Sequence, residues 1–111
     1  MEAKTVIVEN LAGGAGHAIM KHLIGPEQMK TSARLYAQVT LEPGCEIGVH
    51  RHLNESETYY ILAGTGVYDD DGVKREVKAG DITFTGHGHS HGLLNTGTEN
   101  LVLMALILLE K

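Results

Sequence analysis

Gly44–Gly64 reads GCEIGVHRHLNESETYYILAG, with a glycine at each end, His50 and His52 two positions apart, and Glu57 beyond them. In a strand, successive side chains turn to opposite faces, so His50 and His52 point the same way about 7 Å apart, with Arg51 turned to the other side. Two imidazoles on one face can reach a single metal ion, and a nearby carboxylate suits the same hard-to-borderline divalent ions. A second window, Gly80–Asn95 (GDITFTGHGHSHGLLN), supplies His87, His89 and His91, so five of the seven histidines fall in two short stretches.

Outward from these windows the chain is punctuated as a series of short strands. Thr5–Val8 is β-branched, and Ala18–Ile24 is read as a strand after a glycine-rich loop. Ala33–Leu41 alternates with period two, setting Leu35, Ala37, Val39 and Leu41 on one face and Arg34, Tyr36, Gln38 and Thr40 on the other. Glu42-Pro43-Gly44 ends it as a turn. Glu46–His52 and Glu57–Ala63 follow as strands. Val67–Tyr68 and Val73–Val77 flank an Asp69–Gly72 turn, and the carboxylates of that acidic tip lack the spacing of a calcium loop. Ile82–Thr85, His91–Asn95 and Leu101–Leu109 complete the set. The last run is apolar on both faces, as in a strand covered on both sides, either by its own chain or by a second subunit. Short strands, frequent glycine turns and no amphipathic helix predict an all-β antiparallel sandwich or barrel.

The 111 residues allow one domain, 1–111, and 42% apolar content with no low-complexity tract fits a packed core. A formal charge of −5 argues against nucleic acid or an anionic membrane as partner. One cysteine, Cys45, permits no internal disulfide. MEAKTVIVEN carries no signal-peptide run, and nine apolar residues at Leu101–Leu109 are too few for a spanning helix, so a soluble, cytoplasmic protein is expected.

The two windows resemble the paired motifs of the cupin superfamily. The first, glycine, five residues, His-x-His, three or four residues, Glu, six residues, glycine, stands as Gly44, His50, His52, Glu57 and Gly64. The second stands as Gly80, Gly86, Gly88, His91 and Asn95, with Gly86 where the family usually has proline. The resemblance implies a jelly-roll barrel of two antiparallel sheets, commonly a homodimer, with the N-terminal strand available for exchange or for packing at the dimer interface. It also implies His50, His52, Glu57 and His91 as ligands of a divalent transition metal, manganese, iron, nickel or zinc. Four ligands leave one or two positions open for water, substrate or O₂.

Glu55 competes with Glu57 for the carboxylate place, and Glu57 fits the motif. Tyr59, in phase with Glu57, is expected to face inward with Ile61, as a barrel-lining ring or a proton donor, while Tyr60 and Leu62 face outward. His89, in phase with His91, is either a pocket-facing proton shuttle or an ordinary loop histidine. His87, His17 and His22 read as exposed, and Cys45 as a small packed thiol. No arginine is expected inside to grip an anion, and Glu46 is the one further inward carboxylate. These readings predict a metal-dependent enzyme acting on a small organic substrate, with dioxygenase, decarboxylase and isomerase chemistry all allowed. The alternative is a non-catalytic module that binds a small ligand or a metal.

Overall fold

A computed structural model describes residues 1–110. Ten strands form: β1 (Lys4–Glu9), β2 (His17–His22), β3 (Ala33–Leu41), β4 (Glu46–Arg51), β5 (Glu55–Ala63), β6 (Thr65–Asp70), β7 (Val73–Lys78), β8 (Ile82–Thr85), β9 (Ser90–Leu94) and β10 (Leu101–Leu109). A 3₁₀ turn, Leu11–Gly13, and one helical turn, α1 (Pro26–Met29), are the other elements. No helix among the described residues is long and apolar enough to cross a membrane.

All pairings are antiparallel, in a six-stranded sheet ordered β1-β2-β3-β10-β5-β8 and a four-stranded sheet ordered β4-β9-β6-β7. From β3 to β6 consecutive strands alternate between the sheets, as do β7 to β10, which is the jelly-roll arrangement. This crossing places β4 beside β9, with His50 in register with His91, and sets Glu57 of β5 in the opposite layer. The expected barrel of two antiparallel sheets is therefore observed. Between the layers Val39, Leu41, Ile61, Leu93, Leu101 and Leu103 are buried, and removing such side chains from water is the main drive holding the sheets together. The N-terminal strand pairs with β2 of its own chain, at one edge of the larger sheet.

Two irregularities matter for the site. In β4, Ile47 pairs with Leu93 and His50 with His91, so one extra residue is inserted between them. This bulge lets Ile47, His50 and His52 all face the interior while Val49 and Arg51 face out. In β3, Leu35 pairs with Ile107 and Ala33 with Leu108, which leaves Arg34 as the extra residue. The 3₁₀ turn packs on β4 through glycines: a Cβ on Gly48 would lie 2.1 Å from the Ala12 carbonyl oxygen, and one on Gly14 would lie 2.3 Å from that of Glu46. Neither position admits a side chain without backbone movement.

Candidate metal centre

His50, His52, Glu57 and His91 converge, each offering one ligand atom, and these atoms all lie within 4.8 Å of one another. Glu57 Oε1 lies 2.9 Å from His91 Nε2, 3.0 Å from His52 Nε2 and 3.7 Å from His50 Nε2. The Nε2 atoms of His52 and His91 are 3.0 Å apart. Ligands at about 2.1 Å from one ion and at right angles about it would be about 3.0 Å apart, so the cluster fits a transition metal. The chemistry of the donors agrees, because imidazole and carboxylate suit manganese, iron, nickel and zinc alike.

Each ring is turned toward the centre by a partner at its other nitrogen. His50 Nδ1–H donates to the Gly48 carbonyl at 2.7 Å. His52 Nδ1–H donates to Glu55. His91 Nδ1 lies 2.9 Å from Tyr68 Oη and 2.8 Å from Thr85 Oγ1, which also bond each other at 2.7 Å. With the proton on Nδ1 in each ring, the three Nε2 lone pairs point at one spot. Tyr59 stacks on His91 at 4.8 Å and 19°.

The electrostatics follow from packing. Burial pushes the Glu57 carboxyl up, but the imidazoles of His50, His52 and His91 gathered around it outweigh burial and hold the group well below the usual carboxylate range. The bond to Glu57 raises His52 against the opposing effect of burial, whereas burial lowers His91. Burial also pushes the Tyr59 phenol well up, so it keeps its proton.

Three of the four clustered residues, His50, His52 and Glu57, line a cavity of about 210 Å³ together with Tyr59 and the aliphatic Leu11, Met20, Val39, Ile47 and Ile107. That volume holds about seven waters or a ligand of similar heavy-atom count. Arg34 also lines it. Simple alternation set Arg34 on the outer face, and its side chain does stay 53% exposed, but at the β3 bulge it also reaches the cavity, where no arginine was expected. Its guanidinium makes two bonds to Glu55, Nε to Oε1 at 2.6 Å and Nη2 to Oε2 at 2.7 Å. The hydrogen bond from Arg34 is the main reason the Glu55 carboxyl is lowered.

Several residues lie elsewhere than their spacing implied. His89 does not line the cavity: its ring is exposed and bonded to Asp71, because the chain regains strand geometry only at Ser90. Its carbonyl accepts from the His52 amide at 3.0 Å, so it contributes backbone alone. His87 accepts a bond from the Asn54 amide at 2.8 Å at the surface. The inward carboxylate beyond Glu57 is Glu55, whereas the Glu46 carboxylate accepts from the Ala15 amide in an exposed contact. His17 is half-buried and paired with Glu42 at 2.6 Å, not simply exposed. Tyr59 and Ile61 are buried while Tyr60 and Leu62 are exposed, as alternation implied. Asn95 is buried and donates to the carbonyls of Leu41 and Glu99. The sequence reading missed Tyr68 and Thr85. Both share the inward phase of their strands, a faint signal that needed the sheet order to become useful.

The chain resembles known proteins over most of its length. An "oxalate-binding protein" of Thermotoga maritima is 45% identical over 102 residues, covering 92% of this chain and 84% of the relative. The crystal structure of a "predicted oxalate decarboxylase" from Thermotoga maritima superposes with a TM-score of 0.93 at 44% identity, covering 97% of this chain and 94% of that one. An uncharacterised protein of Methanocaldococcus jannaschii is 30% identical over 87 residues, 78% of this chain and 70% of the relative. The family model described as "Cupin domain" matches residues 37–107, a span that holds both histidine windows and the bulged β4 that aims them. With fold, spacing and sequence in agreement, the chain belongs to the cupin domain family.

Proposed function

We propose that this protein holds a divalent transition metal through His50, His52, Glu57 and His91 and acts, as a metal-dependent enzyme, on a small carboxylate of the oxalate class. The observation that carries this reading is the make-up of the cavity wall, which combines His50, His52 and Glu57 of the cluster with Arg34 and otherwise mostly aliphatic carbon. A bound ion would supply a Lewis acid or an O₂-activating centre to whatever reaches it. Arg34 keeps one edge of its guanidinium on Glu55 and has the rest free to meet an anion. Leu11, Met20 and Val39 exclude water and offer a larger polar substrate no partners. Tyr59 would stack on His91 and hold a proton in reach of the cavity. The names of the Thermotoga maritima relatives point to the same ligand class.

A binding role without turnover is the second reading, and one observation favours it. Glu55 and Glu57 are both engaged, so among the described residues Tyr59 is the one cavity-lining group placed to donate a proton. Its raised pKa makes it a reluctant donor.

We further propose a cytoplasmic homodimer formed through the outer face of the six-stranded sheet. Tyr36, Tyr60, Leu62, Ile82, Phe84 and Leu108 are exposed there, an apolar surface uncommon on a monomer. The outward side of β10, expected to be covered, has no layer over it within the protomer, which agrees with a subunit supplying one.

The test is elemental analysis of tag-free protein, then calorimetry with oxalate and an assay for formate and CO₂. Near-stoichiometric metal with metal-dependent oxalate binding and turnover supports the enzyme. Binding without turnover selects the second reading, and no metal after reconstitution defeats the enzyme and leaves only a module that binds a small ligand without an ion.

A further inference from the structure

The three histidines of the centre are oriented in different ways. At Nδ1, His50 donates to a backbone carbonyl and His91 lies against two hydroxyls, all neutral partners; His52 alone has a carboxylate there, that of Glu55. Glu55 lies outside the His-x-His-Glu ligand set, yet it is buried. Asn54, with φ of 59°, makes the left-handed turn after His52 that brings Glu55 back to its ring. The other side of Glu55 is occupied by Arg34 in a two-pronged contact at 2.6 and 2.7 Å, which fixes the plane of the carboxylate. Arg34 arrives there only through the β3 bulge.

We propose that Glu55, clamped by Arg34, is the positioning residue for His52, and that this pair sets how tightly the centre holds its metal. The inference rests on the metal-binding reading above. A carboxylate accepting from Nδ1–H draws that proton toward itself, makes Nε2 a better electron donor and fixes the ring plane. A neutral carbonyl or hydroxyl does less of the first. The clamp matters because a lone carboxylate can rotate about its last bond, whereas one held by two parallel hydrogen bonds cannot. Strand β3, which supplies no ligand, is thereby tied to the metal.

Cobalt(II) serves as the probe, with affinity read by chelator competition and ligand geometry by visible absorption. Glu55→Gln keeps the shape but removes the charge and the strong acceptor, and is expected to weaken cobalt by about 10- to 100-fold and to shift the visible bands. Arg34→Gln separates positioning from mere charge. If Glu55 and Arg34 acted only through their fields, removing a positive charge beside the centre would tighten a cation. Positioning requires the opposite, a weaker site, because the carboxylate is released. Circular dichroism of the metal-free variants checks that both are folded. Glu55→Gln with wild-type affinity and spectrum overturns the proposal, and so does Arg34→Gln with tighter cobalt. If Glu55→Gln does not fold, the sign of the Arg34→Gln effect decides. A wild-type protein that binds no cobalt at all defeats the metal reading itself, a result distinct from either.

Discussion

His89 and His91 sit two residues apart in one run of alternating histidines, and they have opposite fates. The His91 side chain is 0% exposed and paired across to His50; that of His89 is 62% exposed and bonded to Asp71. The sequence presents them as equivalent. The backbone does not, since β9 begins at Ser90, and His89 follows the left-handed Gly88 with one bond across, from the His52 amide to its carbonyl, outside the regular ladder. Alternation belongs to a paired strand. Where pairing stops, two residues of spacing no longer imply one face.

The largest expected effect tests that contrast directly. His91→Ala removes one of the four proposed ligands and should cost more metal affinity than the about 10- to 100-fold typical of losing an outer partner, whereas His89→Ala should bind as wild type does. Chelator competition on both variants measures the difference, and equal losses would erase the distinction. Thr85 and Phe84 extend it to β8, one turned in to His91 and the other out to solvent at 64% exposure. Phe84→Glu should therefore leave metal content intact while dissociating a dimer, as read by sedimentation. Loss of metal with an unchanged mass would contradict both assignments.

A smaller effect concerns the β4 bulge that brings His50 inward. Gly48→Ala forces a methyl against the Ala12 carbonyl and should cost about 1–3 kcal/mol in denaturant unfolding. An unchanged midpoint would mean the turn and β4 are looser than described. The smallest effect is a proton. Glu57 raises His52, so near pH 6.5 the metal-free protein holds a proton there that an incoming metal must displace. His91 is lowered by burial and adds less. The proton on His52 stabilises the metal-free fold below 6.5, a contribution lost as pH rises through the raised value. Metal binding near pH 6.5 should release protons, with His52 as one source, and fewer as pH climbs. Calorimetry in buffers of different ionisation heat reads the number; release that grows with pH would reverse the sign.

Much of this was legible in the residues. Alternation in Ala33–Leu41 and the apolar run Leu101–Leu109 marked strands that form with those bounds. The motif resemblance brought forward the four residues that converge, and they do so because His50 and His91 pair across β4 and β9 while Glu57 keeps a regular strand phase in β5. What stayed hidden depends on the insertion of single residues. Arg34 looks outward in any alternating reading, and only the mismatch with β10 places it at the cavity. Glu55 and Glu57 are in phase and compete as ligands on paper. The turn at Asn54 gives them different faces of the same imidazole. Tyr68 and Thr85 needed the order of strands, which no local pattern carries.

The contact between the Leu11–Gly13 turn and Gly48 also bears on how such a cavity can be retargeted. Gly48 leaves room for the Ala12 carbonyl, and its own carbonyl orients His50, so one residue serves the rim and the metal together. A designer who rebuilds the turn disturbs the ligand. Leu11 and Ala12 both line the cavity, so substitutions there that keep the backbone seated are where ligand preference can be rewritten at least risk to the proposed metal site.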